Sequence, residues 1–336
     1  MPRAHIELDK QAVIAPVRRR TFGSFVEHLG RCVYTGLHEP EHPSANGDGF
    51  RMDVVELVRE LDSTTIRYPG GNFVSGVRWE ESVGPREKRP VRRDLAWRSL
   101  ESNQVGLGEF ARRPKLTDSE SMPAANVATR GTLPALGLPA YADHPSGTAL
   151  SDLRIAHGTP DPHNVRMWCL GNEMNGPRQT GFMTADDHGK IAARTAAAMK
   201  RADKDLECVV CGSSGSDMPT FGDWERTVLE HSHDRVDYVG EASVIDAVAT
   251  VDEDRAAVFP VNRDPGEAAQ VTIDVRGLGS SRTVEAVTLA DSDVYAKNTL
   301  VEQYRVIPTA NSSATLADGL LTIEPPPTSR TAMTPR

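Results

Sequence analysis

Apolar positions along the chain fall into two textures. Over the first two-thirds, short apolar runs alternate with apolar residues at helical spacing. The runs predict strands within "RTFGSFVEHLG", "STTIRYPGG", "MPAANVATRG", "VRMWCLGNE", "LECVVCGSSG" and "RVDYVGE". Between them, "DVVELVREL" carries its apolar residues on one helical face. "TADDHGKIAARTAAAMKRADKD" predicts a longer helix, with Thr184 as its cap, acids in its first turn and alanines along its body. Repeated strand–helix units predict a parallel sheet or a (β/α) barrel. Several predicted strands end in Gly, Asn or Glu, at the rim where a barrel places its functional groups.

From about Ala242 the pattern changes to short alternating strands broken by Gly, Asp and Pro, as in "QVTIDVRGLG" and "TVEAVTLA". That pattern predicts a β-sandwich. "AHIELDKQAVI" also reads as a strand, so residues 1–18 are expected to join the sandwich of residues 242–336, with a barrel at 19–241. The tail "EPPPTSRTAMTPR" reads as frayed.

No apolar run approaches the roughly 20 residues that span a membrane. The first residues, "MPRAHIELDKQAVIAPVRRR", lack the apolar centre of a signal peptide, which leads to an expected cytoplasmic location. Composition narrows the partners further. Lys and Arg total 38 against 47 Asp and Glu, a formal charge of −9. That balance repels phosphate backbones and argues against a nucleic-acid partner. The basic cluster "GPREKRPVRRD" holds Pro85 and Pro90 and reads as a solvated loop rather than a binding arm. Four cysteines make no disulfide framework. Cys208 and Cys211 sit in a predicted strand, where positions three apart face opposite ways, so they read as two reduced, buried thiols rather than metal ligands.

The candidate chemistry sits at strand ends. In "MWCLGNEMNGP" an apolar run stops at Asn172 and Glu173, and Gly176 and Pro177 then break the chain. Glu173 reads equally as a solvated loop acid or as a catalytic acid delivered to a cavity. Asn172 beside it can hydrogen-bond a sugar hydroxyl. Glu27 and His28 end another predicted strand, with a surface charge as the competing reading. "RYPGGNF", Arg67 to Phe73, is a Gly-rich turn without phosphate-loop spacing or lysine. It is either an ordinary turn or a place where backbone and Asn72 approach a small polar ligand. "HEPEH" matches a zinc-protease motif in letters, but Pro40 within it excludes the helix that motif requires. No metal site is expected.

Taken in order, "FGSFVEHLGRCVYTGL", "IRYPGGNFVSGVRWEESVGPREKRP", "AWRSLESNQVGLGEF", "ADHPSGTALSDLR", "NVRMWCLGNEMNGP" and "VVCGSSG" resemble glycoside hydrolase family 51, the α-L-arabinofuranosidases. The likeness covers about residues 1–240 and resumes in the sandwich. It implies an α/β fold, a (β/α)8-type TIM barrel with a jelly-roll-like β-sandwich. It also implies retaining removal of terminal arabinofuranose from arabinose-containing polysaccharides and oligosaccharides, with no cofactor, and a homo-oligomer, since relatives form hexamers. Retention uses two carboxyl groups about 5–5.5 Å apart. By the resemblance Glu173 is the acid/base, Asn172 the neighbouring sugar-binding amide, Glu27 and Asn72 pocket residues, Arg67 a supporting arginine, and Trp97 an aglycone contact.

The second carboxyl is missing from the pattern. The family's nucleophile belongs to a seventh-strand segment reading acid–Glu–Trp–Asn, and Trp79, Trp97, Trp168 and Trp224 all lie elsewhere. After "VDYVGE" the chain passes directly to sandwich-like sequence, and Glu241 at the junction lacks the seventh strand's supporting residues. The expectation is an internally shortened barrel whose hydrolysis is impaired. The alternative is a non-catalytic sugar-binding or structural remnant.

Overall fold

The computed structural model describes residues 3–9, 20, 23–112, 114–215, 218–240, 245–251, 256–262, 264, 266–277, 284–293, 296, 302 and 304–335. It divides into two compact units, residues 1–17 with 243–336 and residues 18–242. Glu241 lies outside the described residues.

β1 (Arg3–Asp9) belongs to the smaller unit. The larger unit contains β2 (Gly23–Phe25), α1 (Met52–Glu60), β3 (Thr65–Arg67), the short pair β4 (Arg92–Arg93) and β5 (Leu100–Glu101), and α2 (Leu107–Arg112) with α3 (Pro114–Thr117). It continues through β6 (Glu120–Met122), β7 (Ala124–Ala125), α4 (Thr132–Ala142), α5 (Ala149–Ala156) and β8 (Met167–Leu170). α6 (Ala185–Ala202), β9 (Glu207–Cys211), α7 (Asp223–Ser232) and β10 (Tyr238–Gly240) complete it. β2, β3 and β6 pair in parallel, as do β7, β8, β9 and β10. Pro123, which has no N–H to give a ladder, divides β6 from β7. The carbonyls on either side of the break still bond across it, Met122 accepting from Tyr68 at 3.2 Å and Pro123 from Cys169 at 2.8 Å. Six parallel positions therefore follow one another in chain order, with β2 and β10 outermost among the described residues.

α6 forms where its cap and charges favour it. The Thr184 hydroxyl accepts from the Asp187 N–H at 3.1 Å, Asp186 and Asp187 fill the first turn, and Lys200 and Arg201 the last. Its buried Ala192, Ala196 and Met199 pack with Trp168 and Leu170 of β8 and Cys208 and Val210 of β9. β8 is buried throughout and β9 alternates, so Cys208 is buried while Cys211 is only half-buried, a correction to the expectation of two buried thiols.

The basic cluster is also corrected. Residues 86–88 form a 3₁₀ turn, and Arg89 is buried rather than solvated. Its guanidinium donates to both oxygens of Glu109, at 2.7 and 3.1 Å, and to the carbonyls of Gly84 and Asn103. "HEPEH" forms turns and an isolated bridge from His38 to Phe50, and His42 bonds Ser44.

The smaller unit is a sandwich of two sheets. β1 runs parallel to β13 (Gln270–Gly277), followed by β17 (Leu320–Ile323) and β16 (Thr315–Ala317). The second sheet has the order β11 (Ile245–Val251), β12 (Ala256–Asn262), β18 (Ser329–Pro335), β14 (Val284–Leu289) and β15 (Thr309–Ala310). Val258 and Met333 of one sheet pack with Val271, Ile273, Leu321 and Ile323 of the other. The tail expected to fray is thus β18, held between β12 and β14. Its polar run is tolerated because Thr331 is buried hydroxyl to hydroxyl against Thr288 at 2.8 Å.

Candidate active site

β8 ends at Leu170 in the core, and the chain turns at Gly171 to present Asn172 and Glu173. Glu173 holds φ = 43°, in the left-handed region, which costs a non-glycine residue about 1–2 kcal/mol. Strain of this kind collects where function fixes a side chain. Arg67, the last residue of β3, donates through Nη2 to the Asn172 Oδ1 at 2.7 Å and to the Gly171 carbonyl at 3.3 Å. That leaves the Asn172 Nδ2 buried and without a protein acceptor.

Glu27 follows β2 and is buried. The Trp97 Nε1 donates to its Oε1 at 2.8 Å. Its carboxylate lies directly against Gly71, where an added Cβ would sit 1.9 to 2.1 Å from the three carboxyl atoms. Gly71 has φ = 64°, ψ = −160°, a conformation that only glycine adopts readily. Asn72 comes next, half-buried, and opens the 3₁₀ turn Asn72–Ser75. Glu173 is exposed at the chain surface, yet the protein around its carboxyl raises its pKa by desolvation. Arg67 opposes the rise and Glu27 adds to it. Glu27, Arg67, Asn172 and Glu173 are thus brought together, and Asn72 adjoins Gly71, against which the Glu27 carboxylate packs.

A network beneath the site was not legible in sequence. The buried His28 and Glu101 bond at 2.7 Å through Nδ1, and the other His28 nitrogen meets the Tyr68 hydroxyl at 2.8 Å. Tyr34 donates to Glu101, and the Phe73 ring stacks on His28 with centroids 4.1 Å apart. Burial pushes the Glu101 carboxyl up, but the bonds from His28, Tyr34 and the Asn103 N–H prevail and leave it below the usual carboxylate range. These contacts tie the segment after β2, the Asn72 turn and β5 into one frame. His28 and Glu101 are 73 positions apart, and neither lies in a pattern that marks a partner.

Residues 57–254 match the family model described as the α-L-arabinofuranosidase 1 domain. The chain belongs to the family 51 α-L-arabinofuranosidases. It is 57% identical over 241 residues to an intracellular exo-α-(1→5)-L-arabinofuranosidase of Streptomyces lividans, covering 71% of this chain and 36% of that one. It is 54% identical over 239 residues to a protein of the same description from Acetivibrio thermocellus, covering 71% and 48%. The match therefore spans less than half the length of these two relatives. Among solved structures, a family 51 α-L-arabinofuranosidase from Bifidobacterium longum superposes with a TM-score of 0.78 at 30% identity, covering 100% of each chain. An α-L-arabinofuranosidase from Thermotoga maritima gives 0.74 at 23% identity over 98% of this chain and 99% of that one, a likeness of fold. The family 51 fold is a TIM barrel with a β-sandwich. No helix among the described residues is long and apolar enough to cross a membrane.

Proposed function

We propose that residues 18–242 form an arabinofuranoside site of the exo-acting, retaining type, with Glu173 as general acid/base. The observation that carries this reading is the Glu173 carboxyl, held at the end of β8 by a strained backbone and raised in pKa. A carboxyl that keeps its proton closer to neutrality is suited to protonating a leaving glycosidic oxygen. Asn172, with an unspent amide donor fixed by Arg67, and Glu27, fixed by Trp97, supply opposite ends of hydrogen bonds to sugar hydroxyls. Asn72 completes the set. The names of the intracellular relatives support the expected cytoplasmic location.

Turnover by this chain is proposed to be impaired. In retention a second carboxylate attacks the anomeric carbon as the first protonates the departing oxygen, and the acid then acts as base toward water. The sequence has no acid–Glu–Trp–Asn segment to supply that attacker, and the proposed barrel is shortened after its sixth strand. Glu27 is already engaged by Trp97 and packed on Gly71, which suits hydroxyl binding better than attack.

Calorimetry with arabino-oligosaccharides, paired with release of para-nitrophenol from the aryl arabinofuranoside, tests both parts. Binding with turnover far below family rates is expected. Family-level turnover that vanishes in Glu173→Ala would refute the impairment. Equal loss in Glu27→Gln, with binding intact, would make Glu27 the attacker. Absence of binding would remove the arabinofuranoside reading.

A further inference from the structure

An open cleft is lined by Ser75, Gly76, Arg78, Leu95, Thr129, Arg130 and Thr180, none of them acidic. Its walls belong to the elements that build the site. Thr180 lies on the segment following Glu173. Leu95 lies two residues before Trp97, the partner of Glu27. Ser75, at the end of the Asn72 turn, ties the floor together. Its carbonyl accepts from Thr129 at 2.7 Å, and its hydroxyl accepts from Gln179 at 2.5 Å.

The arginines around it are unevenly paired. Arg130 donates to both oxygens of Glu80, at 2.5 and 3.1 Å. Arg92 likewise takes both oxygens of Glu81, at 2.7 and 2.9 Å. Among the described residues Arg78 reaches Glu81 alone, at 3.5 Å, an acid whose charge Arg92 already meets, and its side chain is 62% exposed. Three guanidinium groups thus share two carboxylates. Arg78 also lines an adjoining cleft with Arg92 and Arg93, where the acids are Glu81, Asp94 and Glu101; Asp94 accepts from the Ala96 and Trp97 N–H groups, and Glu101 is bonded to His28 and Tyr34. The Arg78 guanidinium thus keeps most of its donors unspent at the cleft, in a chain of net charge −9.

We propose that this cleft receives a uronate carboxylate on the sugar that carries the arabinose, with Arg78 as the residue that reads it. A guanidinium fork matches a carboxylate bidentately, and a third carboxylate would complete the set of three pairs. Exposed Leu95 offers an apolar surface for a sugar face beside it. The carboxylate belongs either to a glucuronosyl branch on a xylan or to galacturonate in a pectic chain. The chemistry of recognition is the same for both. This assignment rests on the arabinofuranoside reading of the neighbouring site.

Calorimetry on the full chain uses four probes. They are a neutral arabinosylated xylo-oligosaccharide, the same with a glucuronosyl branch, an arabinosylated galacturonate fragment, and a uronate oligosaccharide without arabinose. At about 20 mM salt, at least one acidic arabinosylated probe is expected to bind about fivefold tighter than the neutral one, the scale of an exposed ion pair. The probe that does so identifies the source. The advantage is expected to shrink at about 300 mM salt and to vanish in Arg78→Met, with neutral binding unchanged. Equal affinity for neutral and acidic probes, or an advantage that survives Arg78→Met, overturns the proposal while leaving the arabinofuranoside reading intact. Arg78-dependent binding of the uronate probe alone would sustain the cleft and remove the arabinofuranoside reading. No binding of any probe overturns both.

Discussion

Gly71→Ala joins backbone conformation to the geometry of the site, and a matched control separates the two effects. Gly71 and Gly131 hold nearly the same backbone angles, φ = 64°, ψ = −160° and φ = 77°, ψ = −162°. Each costs a residue with a Cβ about 1–3 kcal/mol. An added Cβ at Gly131 meets nothing within 4 Å, so Gly131→Ala carries only that cost. At Gly71 the Cβ would fall 1.9 Å from the Glu27 Cδ. The carboxylate must then move and give up the 2.8 Å bond from Trp97. A hydrogen bond to a charged group is worth about 1.5–3 kcal/mol, which is the expected excess of Gly71→Ala over Gly131→Ala. Urea midpoints read by tryptophan fluorescence measure the stabilities, and arabinose titration measures the site. Gly71→Ala should lose both stability and binding, while Gly131→Ala should keep its binding. Adding Glu27→Ala removes the collision, so the double variant should be less destabilised than the sum of the singles. Equal losses in the two glycine variants, or strict additivity with Glu27→Ala, would refute the reasoning.

Burial pushes the Asp143 carboxyl up from 3.8 to about 6, and its Oδ2 has no partner. The folded state therefore holds this proton more tightly than the unfolded chain, so the stability it confers is full below about pH 4 and is lost as pH rises through about 6, by about 3 kcal/mol. Asp143→Asn is expected to trail the parent by up to about 2 kcal/mol near pH 3.5, the cost of an unpaired amide, and to exceed it by at least about 1 kcal/mol at pH 8; a less stable variant at pH 8 would contradict this. Arg89→Met strands the buried Glu109 and should cost about 3–5 kcal/mol in urea denaturation, whereas a loss under about 1 kcal/mol would show that the pair is dispensable. Of the four thiols, exposed Cys32 should react fast with a disulfide reagent at pH 8, while buried Cys169 and Cys208 stay slow, as does Cys211 with its pKa pushed up to about 12; a second fast thiol in the native chain would count against this.

What the sequence revealed follows the range of the forces involved. α6 and β8 were legible because cap, helix charge and apolar run act within a few residues. Glu173 and Asn172 were legible as the end of a buried run, and the φ of 43° that aims the acid is a property of three-dimensional closure. Arg89 looked solvated because its partner Glu109 lies 20 positions away, across Pro90 and two short strands. β18 looked frayed because its threonines pair with a strand 43 positions earlier rather than with apolar neighbours. The same distance hid the bond from Trp97 to Glu27, 70 positions apart, and with it the reason Gly71 must be glycine.

The parallel pairing of β1 with β13 sets Arg3 beside Gln270, with the whole larger unit between them in sequence. On a ribosome adding about 5–20 residues each second, β1 emerges roughly 13–50 s before its partner exists. Residues 18–242 have that interval in which to collapse, while the first strand waits with both edges bare. A chaperone that shields the nascent β1 would act in that window, and the yield of native chain should depend on it more than on the later hairpins.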